Sequence, residues 1–157
     1  MSARPEGLAH RVLERLFKYR DIVKVVGGEP SLYLRRYFIF RTERFPNNRI
    51  FLHFIARDDD DRDLHDHPWD FSSFILKGGY KEYLPGGEKR LLFDFDFVRN
   101  PAEHTHRVEL HDGEPAWTLV HAGKARRIWG FHTKDGWVDW RSYLGLTPTH
   151  PDSPEDA

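Results

Sequence analysis

The chain has 157 residues, enough for one core, since single domains commonly run to roughly 100–150 residues. Lys plus Arg is 24 and Asp plus Glu is 25, so the net charge of −1 supplies no global field to draw in nucleic acid or an anionic membrane. There is no cysteine, which excludes disulfides, thiolate metal sites and cysteine nucleophiles, so any metal must sit on His, Asp or Glu.

Residues 5–20, PEGLAHRVLERLFKYR, place Leu8, Val12, Leu13, Leu16 and Phe17 at helical spacing and predict one amphipathic helix packed on another element. After Gly27 and Gly28 the pattern changes to short β-branched and aromatic runs. Strands are expected at Leu32 to Arg41, Ile50 to Ala56, Phe71 to Leu76, Tyr80 to Leu84, Arg90 to Phe95, His106 to Leu110, Trp117 to His121 and Arg126 to Thr133. Turn chemistry separates them: Pro46-Asn47-Asn48, Gly78-Gly79, Pro85-Gly86-Gly87, Asn100-Pro101, Asp112-Gly113 and Ala122-Gly123. Many short strands without intervening helices indicate an all-β sandwich or barrel, and a jelly roll is the natural candidate.

The block RDDDDRD at 57–63 reads as a solvated loop, because the glycine and distal glutamate of a calcium loop are missing. WTLVHAGKARRIWGFHT at 117–133 reads as a closing hairpin with Lys124, Arg126 and Arg127 near its turn. Trp129, Phe131, Trp137 and Trp140 are expected to build core and anchor the C-terminal segment. One domain is expected over 1–148, its barrel over about 30–143, followed by an acidic, Pro-rich tail at 149–157 that is expected to fray. No apolar run approaches the roughly 18 residues of a spanning helix, and MSARPEGLAH lacks a signal-peptide stretch, so the expected compartment is the cytoplasm.

Ten histidines are present, and their clustering carries the signal: His65-Asp66-His67, then His104-Thr105-His106. Along a strand, residues i and i+2 point to one side, so an H-x-H pair presents two imidazoles close enough to chelate one ion. A second element paired alongside supplies a third nitrogen. Asp66 and Pro68 suit the mouth of a barrel better than the middle of a core strand.

The stretch LHDHPWDFSSFILKGGYKEY at 64–83 resembles the first cupin motif, and NPAEHTHRVEL at 100–110 resembles the second. The resemblance covers about residues 30–135. It implies a cupin-type double-stranded β-helix, a jelly-roll barrel with one N-terminal amphipathic helix, holding one divalent metal. It places His65 and His67 as the first ligands and His106, counted from Pro101, as the third, with His104 as its competitor. The family's glutamate would stand where this chain has Phe71 and Ser72; Asp70 is the nearest substitute, as a ligand or as a partner for an imidazole N–H.

Three neutral imidazoles leave the ion's charge uncompensated and suit an anionic, bidentate substrate. The resemblance therefore implies a mononuclear non-haem Fe(II) dioxygenase acting on a small polar or anionic metabolite, with Zn, Mn or Ni as other metals. Two alternatives stay open: a metal-dependent isomerase, epimerase or lyase, and a non-catalytic sugar- or metabolite-binding cupin. His53, His104 and Tyr80 are candidate proton-moving groups, and Arg41, Arg126 and Trp69 candidate substrate contacts. Arg35 and Arg41 alternate with Arg36, and whichever arginine faces inward must be paired or must meet an anion. A homodimer is plausible by resemblance; nucleic-acid and membrane partners are not expected.

Overall fold

The computed structural model describes residues 7–26, 29–42, 45–59 and 62–145. The turn at Gly27-Gly28, the tail at 149–157 and the side chains of Arg41, Pro46 and Asn47 lie outside what is described. Helix α1 (Leu8–Leu16) leads into β1 (Tyr19–Val26), β2 (Glu29–Thr42) and β3 (Phe45–Ile55). There follow β4 (Leu64–His65), β5 (Phe71–Lys77), β6 (Tyr80–Tyr83), β7 (Lys89–Leu92) and β8 (Phe97–Asn100). The chain continues through β9 (Arg107–Leu110), β10 (Ala116–Ala122), β11 (Gly130–Thr133) and β12 (Gly136–Asp139) to the short α2 (Trp140–Tyr143). Three antiparallel sheets result: β1-β2-β3-β10-β5-β8, β7-β6-β9 and β12-β11-β4. The all-β, jelly-roll expectation agrees with this architecture. Among the described residues no helix is long and apolar enough to cross a membrane.

Alternation sorts the long strands into an inner and an outer face. Leu34, Ile55, Ile75, Val98 and Ala116 of the large sheet meet Tyr80, Leu92, Val108 and Leu110 of the β7-β6-β9 sheet in one apolar core. Phe51, Trp69, Phe71, Val120 and Ala122 form a second. On the same inner face as these groups, Arg36 of β2 stands opposite His53 of β3, which stands opposite Thr118 of β10.

Several expectations need correction. The helix is shorter than 5–20: Phe17 is already extended, and the Lys18 carbonyl accepts from Phe38 N–H at 2.9 Å, joining the large sheet. The face expected to pack is instead exposed, with Leu8 at 70% and Leu16 at 66%. The helix docks through a polar residue, since buried His10 meets the Tyr37 hydroxyl at 2.7 Å and the Phe54 and Trp117 rings at 4.6 and 4.9 Å. Beneath it, buried Arg35 pairs with Asp21 at 2.5 Å and with Glu14 of the helix, stapling α1 to the outer side of the sheet.

The segment 117–133 is not a hairpin, because β10 pairs with β3 and β5 whereas β11 pairs with β4 and β12. Strands β1, β4, β8 and β12 were not expected as strands. The turn Gly78-Gly79 has a firm steric basis, for φ is +93° and +77°, and a Cβ on Gly79 would stand 2.2 Å from Leu92 O.

The charge block is not simply a solvated loop. Asp59 is only 1% exposed, its N–H bonds Val108 O at 2.9 Å, and Asp58 accepts from Leu110 N–H at 2.7 Å. Asp60 and Asp61 lie outside the described residues. Asp66 is likewise buried rather than at a solvated mouth. Its carboxylate accepts from Gly130 N–H at 2.8 Å and Trp137 Nε1–H at 3.0 Å, lies 3.1 Å from His132 Nε2, and pairs with Arg127 at 2.9 Å. The expected aromatic anchoring is present: Trp129 stacks on Trp140 at 5.7 Å and Phe131 on Tyr143 at 3.8 Å.

Removing Asp66 would leave Arg127, the Gly130 amide and the Trp137 indole without their shared acceptor. Asp66→Ala is therefore expected to cost about 3 kcal/mol of stability, seen as a lower urea midpoint. An unchanged midpoint would show that the clamp contributes nothing.

Candidate metal centre

The two histidine motifs meet through the backbone. His65 N–H donates to His106 O at 2.9 Å and His106 N–H returns the bond to His65 O at 3.0 Å. Two residues on, His67 N–H donates to Ala102 O at 2.9 Å, so the two segments run antiparallel. Alternation sends the Asp66 side chain into its clamp and leaves His65 and His67 on the opposite side.

The three imidazoles form a nearly equilateral triangle. Ring centroids are 5.3 Å apart for His65 and His67, 5.0 Å for His65 and His106, and 4.9 Å for His67 and His106. One nitrogen from each lies within 4.8 Å of the others. His67 Nε2 and His106 Nε2 are 2.9 Å apart. Two donors each about 2.1 Å from one ion, at right angles, would stand about 3.0 Å apart, so the spacing fits shared coordination.

Behind two of the three histidines stands an acid that was not expected. Glu82, 1% exposed, is 2.8 Å from His106 Nδ1. An ionised carboxylate requires that nitrogen to carry the proton, which leaves the Nε2 lone pair facing the triangle. Burial alone would raise the Glu82 pKa, but His104, His106 and the guanidinium of Arg90, whose Nε donates at 2.6 Å, hold it well below the usual carboxylate range. Asp59 plays the corresponding part for His65, with Oδ2 3.1 Å from Nδ1 at an ion-pair distance rather than in a hydrogen bond of ordinary geometry. Lys24 holds the other Asp59 oxygen at 2.5 Å.

Burial sets the protonation of His106 and His67. It lowers His106 to about 4, against the opposing effect of Glu82. Burial also pushes His67 well down, helped by the neighbouring His106, His65, His104 and Arg36. Neutral imidazole is the form that binds a metal.

The remaining candidates are distributed around this centre. His104 lies on the Glu82 side of His106, its Nε2 3.8 Å from Glu82 Oε1, and forms with Glu82 and His106 a second group of potential donors. Asp70 is not among the donors: half exposed, it accepts from Ala102 N–H at 2.8 Å and pairs with Arg126 at 2.9 Å. Arg126 is also held by Glu103 at 2.6 Å, so this arginine is a surface staple between carboxylates and does not reach the histidines.

Tyr80 is buried in the apolar core, which raises its pKa and keeps the phenol protonated. His53 faces inward and sits 3.0 Å from Arg36 Nε, as an acceptor; burial, then Arg36, push its pKa well down. Trp69 is buried in the second apolar cluster, with the Arg49 guanidinium 4.3 Å from its ring centroid. Of Arg41 only the backbone is described.

Sequence reasoning missed Glu82, Arg90, Asp59 and Arg49. The signal for Glu82 was present, since period-two alternation puts it on the same inward face as Tyr80. Asp59 carried none, being one of four consecutive aspartates.

Glu82→Gln retains the size but not the charge that fixes His106, and is expected to weaken metal affinity by about 10–100-fold, measured by competition with a chelator; unchanged affinity would remove Glu82 from the centre. In the metal-free protein the unfolded chain protonates its histidines near 6.5 whereas His106 resists to about 4, so the unfolded state binds more protons in between. This share of stability is complete above about pH 6.5 and should be lost as pH falls toward about 4, read as a falling urea midpoint. A flat profile would contradict a neutral, buried His106.

No family model and no curated protein matches this chain. Solved structures do. A cupin-2 domain protein from Rhodospirillum rubrum superposes with a TM-score of 0.59 at 13% identity, covering 94% of this chain and 90% of that one. A cupin 2 conserved barrel domain protein from Rhodopseudomonas palustris gives 0.57 at 16% identity, covering 76% and 80%. Fe(II) HppE gives 0.53 at 15% identity over 67% of this chain, which spans only 56% of the HppE chain. At such identities the likeness is one of fold. With its jelly-roll sheets and these neighbours, the chain has the cupin fold.

Proposed function

We propose that this protein is a metal-dependent enzyme acting on a small anionic molecule, with His65, His67 and His106 as ligands and Fe(II)-dependent oxygenation as its reaction. The observation that carries this reading is the triangle of imidazoles, two of whose Nε2 atoms are already at coordination spacing. Fe(II) on three neutral ligands would supply open positions and Lewis acidity for an anionic substrate together with O₂.

The chain's own residues define the rest. Glu82 keeps the His106 proton on Nδ1, and Asp59 stands behind His65. Phe71, whose ring lies 4.4 Å from His67, walls the site with apolar surface and limits water. Arg36 adds positive charge from the barrel interior. An isomerase or lyase has less support, because two of the three candidate proton carriers are committed elsewhere: His53 to Arg36, and Tyr80 to the apolar core. HppE is an Fe(II) protein on the same fold, which makes Fe(II) the first metal to load.

The test is anaerobic reconstitution of metal-free protein with Fe(II), with metal content and the paramagnetic resonance of a nitric oxide adduct as readouts. About one iron per chain and an adduct signal are expected. Both should disappear in His65→Ala and persist in His104→Ala. Full metal retention by His65→Ala would overturn the ligand assignment. Turnover of any substrate in the strict absence of O₂ would replace oxygenation by a non-redox reaction.

A further inference from the structure

Among the described residues, the outer face of the large sheet is covered on one side and bare on the other. Helix α1 lies over the β2-β3-β10 side, where His10 meets Tyr37, Phe54 and Trp117. On the other side, register sets Phe97 of β8 opposite Phe74 of β5, and Phe74 opposite Leu119 of β10. Leu76 shares the parity of Phe74, and the Phe95 ring lies 6.4 Å from that of Phe74. Phe95 is 72% and Phe97 65% exposed, and Leu76 and Leu119 are exposed as well, so an apolar strip runs out to the β8 edge.

Phe95 is unusual in its backbone too. Its φ of +73° is a left-handed conformation, unfavourable for a bulky side chain and easier for glycine or asparagine. An aromatic ring held there and left in water is unfavourable twice over, and contact with a partner would offset the second part.

The helix presents the matching surface. His10 and Glu14 reach the sheet, and helical periodicity sends Leu8, Val12 and Leu16 to the opposite side, where all three are exposed. Arg11 and Arg15 flank that stripe. At the border of the sheet strip, Asp94 accepts from Gly78 N–H and Asp96 from Phe93 N–H, each at 2.7 Å. Among the described residues none of these four charges has an ionic partner.

A basic, apolar helix face and an acidic, apolar strip are complementary. Within one copy they cannot meet, because the Arg35 staple to Glu14 holds α1 with its stripe turned away from its own sheet. Between two copies they can, and a two-fold axis makes both contacts at once. The seven apolar side chains named here expose roughly 700 Å² per copy, near the roughly 800 Å² that each partner gives to a stable interface.

We propose that this face is the interface of a two-fold homodimer, in which α1 of each copy lies along the Leu119-Phe74-Phe97 strip of the other. Arg11 and Arg15 then face Asp94 and Asp96 of the partner subunit. The metal reading above plays no part in this.

The experiment is sedimentation velocity of the full chain over a concentration series, and a reversible dimer is expected. Leu16→Glu and Phe97→Glu replace exposed side chains, so each should weaken the dimer at least about 30-fold while leaving the urea midpoint unchanged. Arg11→Glu combined with Arg15→Glu should weaken it about tenfold. Leu91→Glu, on the β7-β6-β9 sheet, should leave it intact. Because the chain has no cysteine, Val12→Cys protein mixed with Phe97→Cys protein and a short bismaleimide reports the contact directly, and a cross-linked dimer is expected. The proposal is overturned if the chain stays monomeric at about 100 µM, or if the dimer survives either glutamate substitution at Leu16 or Phe97 unchanged. It is equally overturned if Val12→Cys links to Leu91→Cys as readily as to Phe97→Cys.

Discussion

Asp66 is buried between the two histidines of the H-x-H pair, and its carboxylate is shared by the Gly130 amide, the Trp137 indole and Arg127. Because a strand alternates, committing Asp66 to that side commits His65 and His67 to the other. The same clamp binds the small β12-β11-β4 sheet to the segment that carries the ligands. A buried carboxylate with fewer partners would be costly, and an apolar residue in its place would satisfy none of those donors. The orientation of the candidate metal centre therefore follows from a contact that none of its histidines makes.

A second constraint comes from polar groups paired behind the triangle. Glu82 tolerates burial because Arg90 neutralises it and His106 hydrogen-bonds to it, and its charge in turn fixes the tautomer of His106. Asp59 is balanced between Lys24 and His65. Three imidazoles thus stand in front and two carboxylates behind.

Histidine does different work in the two halves of the molecule. His10 is a packing group on the outer face, bonded to Tyr37 and ringed by Phe54 and Trp117, and it docks α1 where leucines were expected to. His53, facing inward, accepts from Arg36 and so helps hold a cation inside the barrel. Among the described residues only the histidines on the two facing segments, 65–67 and 104–106, gather nitrogen donors at chelating distance.

The sequence by itself determined the strand-rich barrel, the glycine turn at Gly78-Gly79 and the side on which His65 and His67 stand. These follow from period-two alternation, turn sterics and H-x-H spacing, all of which are local. The tertiary structure decided between His104 and His106 as the residue opposite His65, because that choice depends on which backbone pairs across the barrel. It also moved Asp59 out of an apparent charge loop and into the interior, and brought Glu82 to His106 from a distant strand. It assigned Arg36 and Arg49, not Arg126, to the interior for the same reason. Whether a charged side chain is solvated, paired or aimed at a site is settled by neighbours far away in the chain, and local pattern carries no record of them.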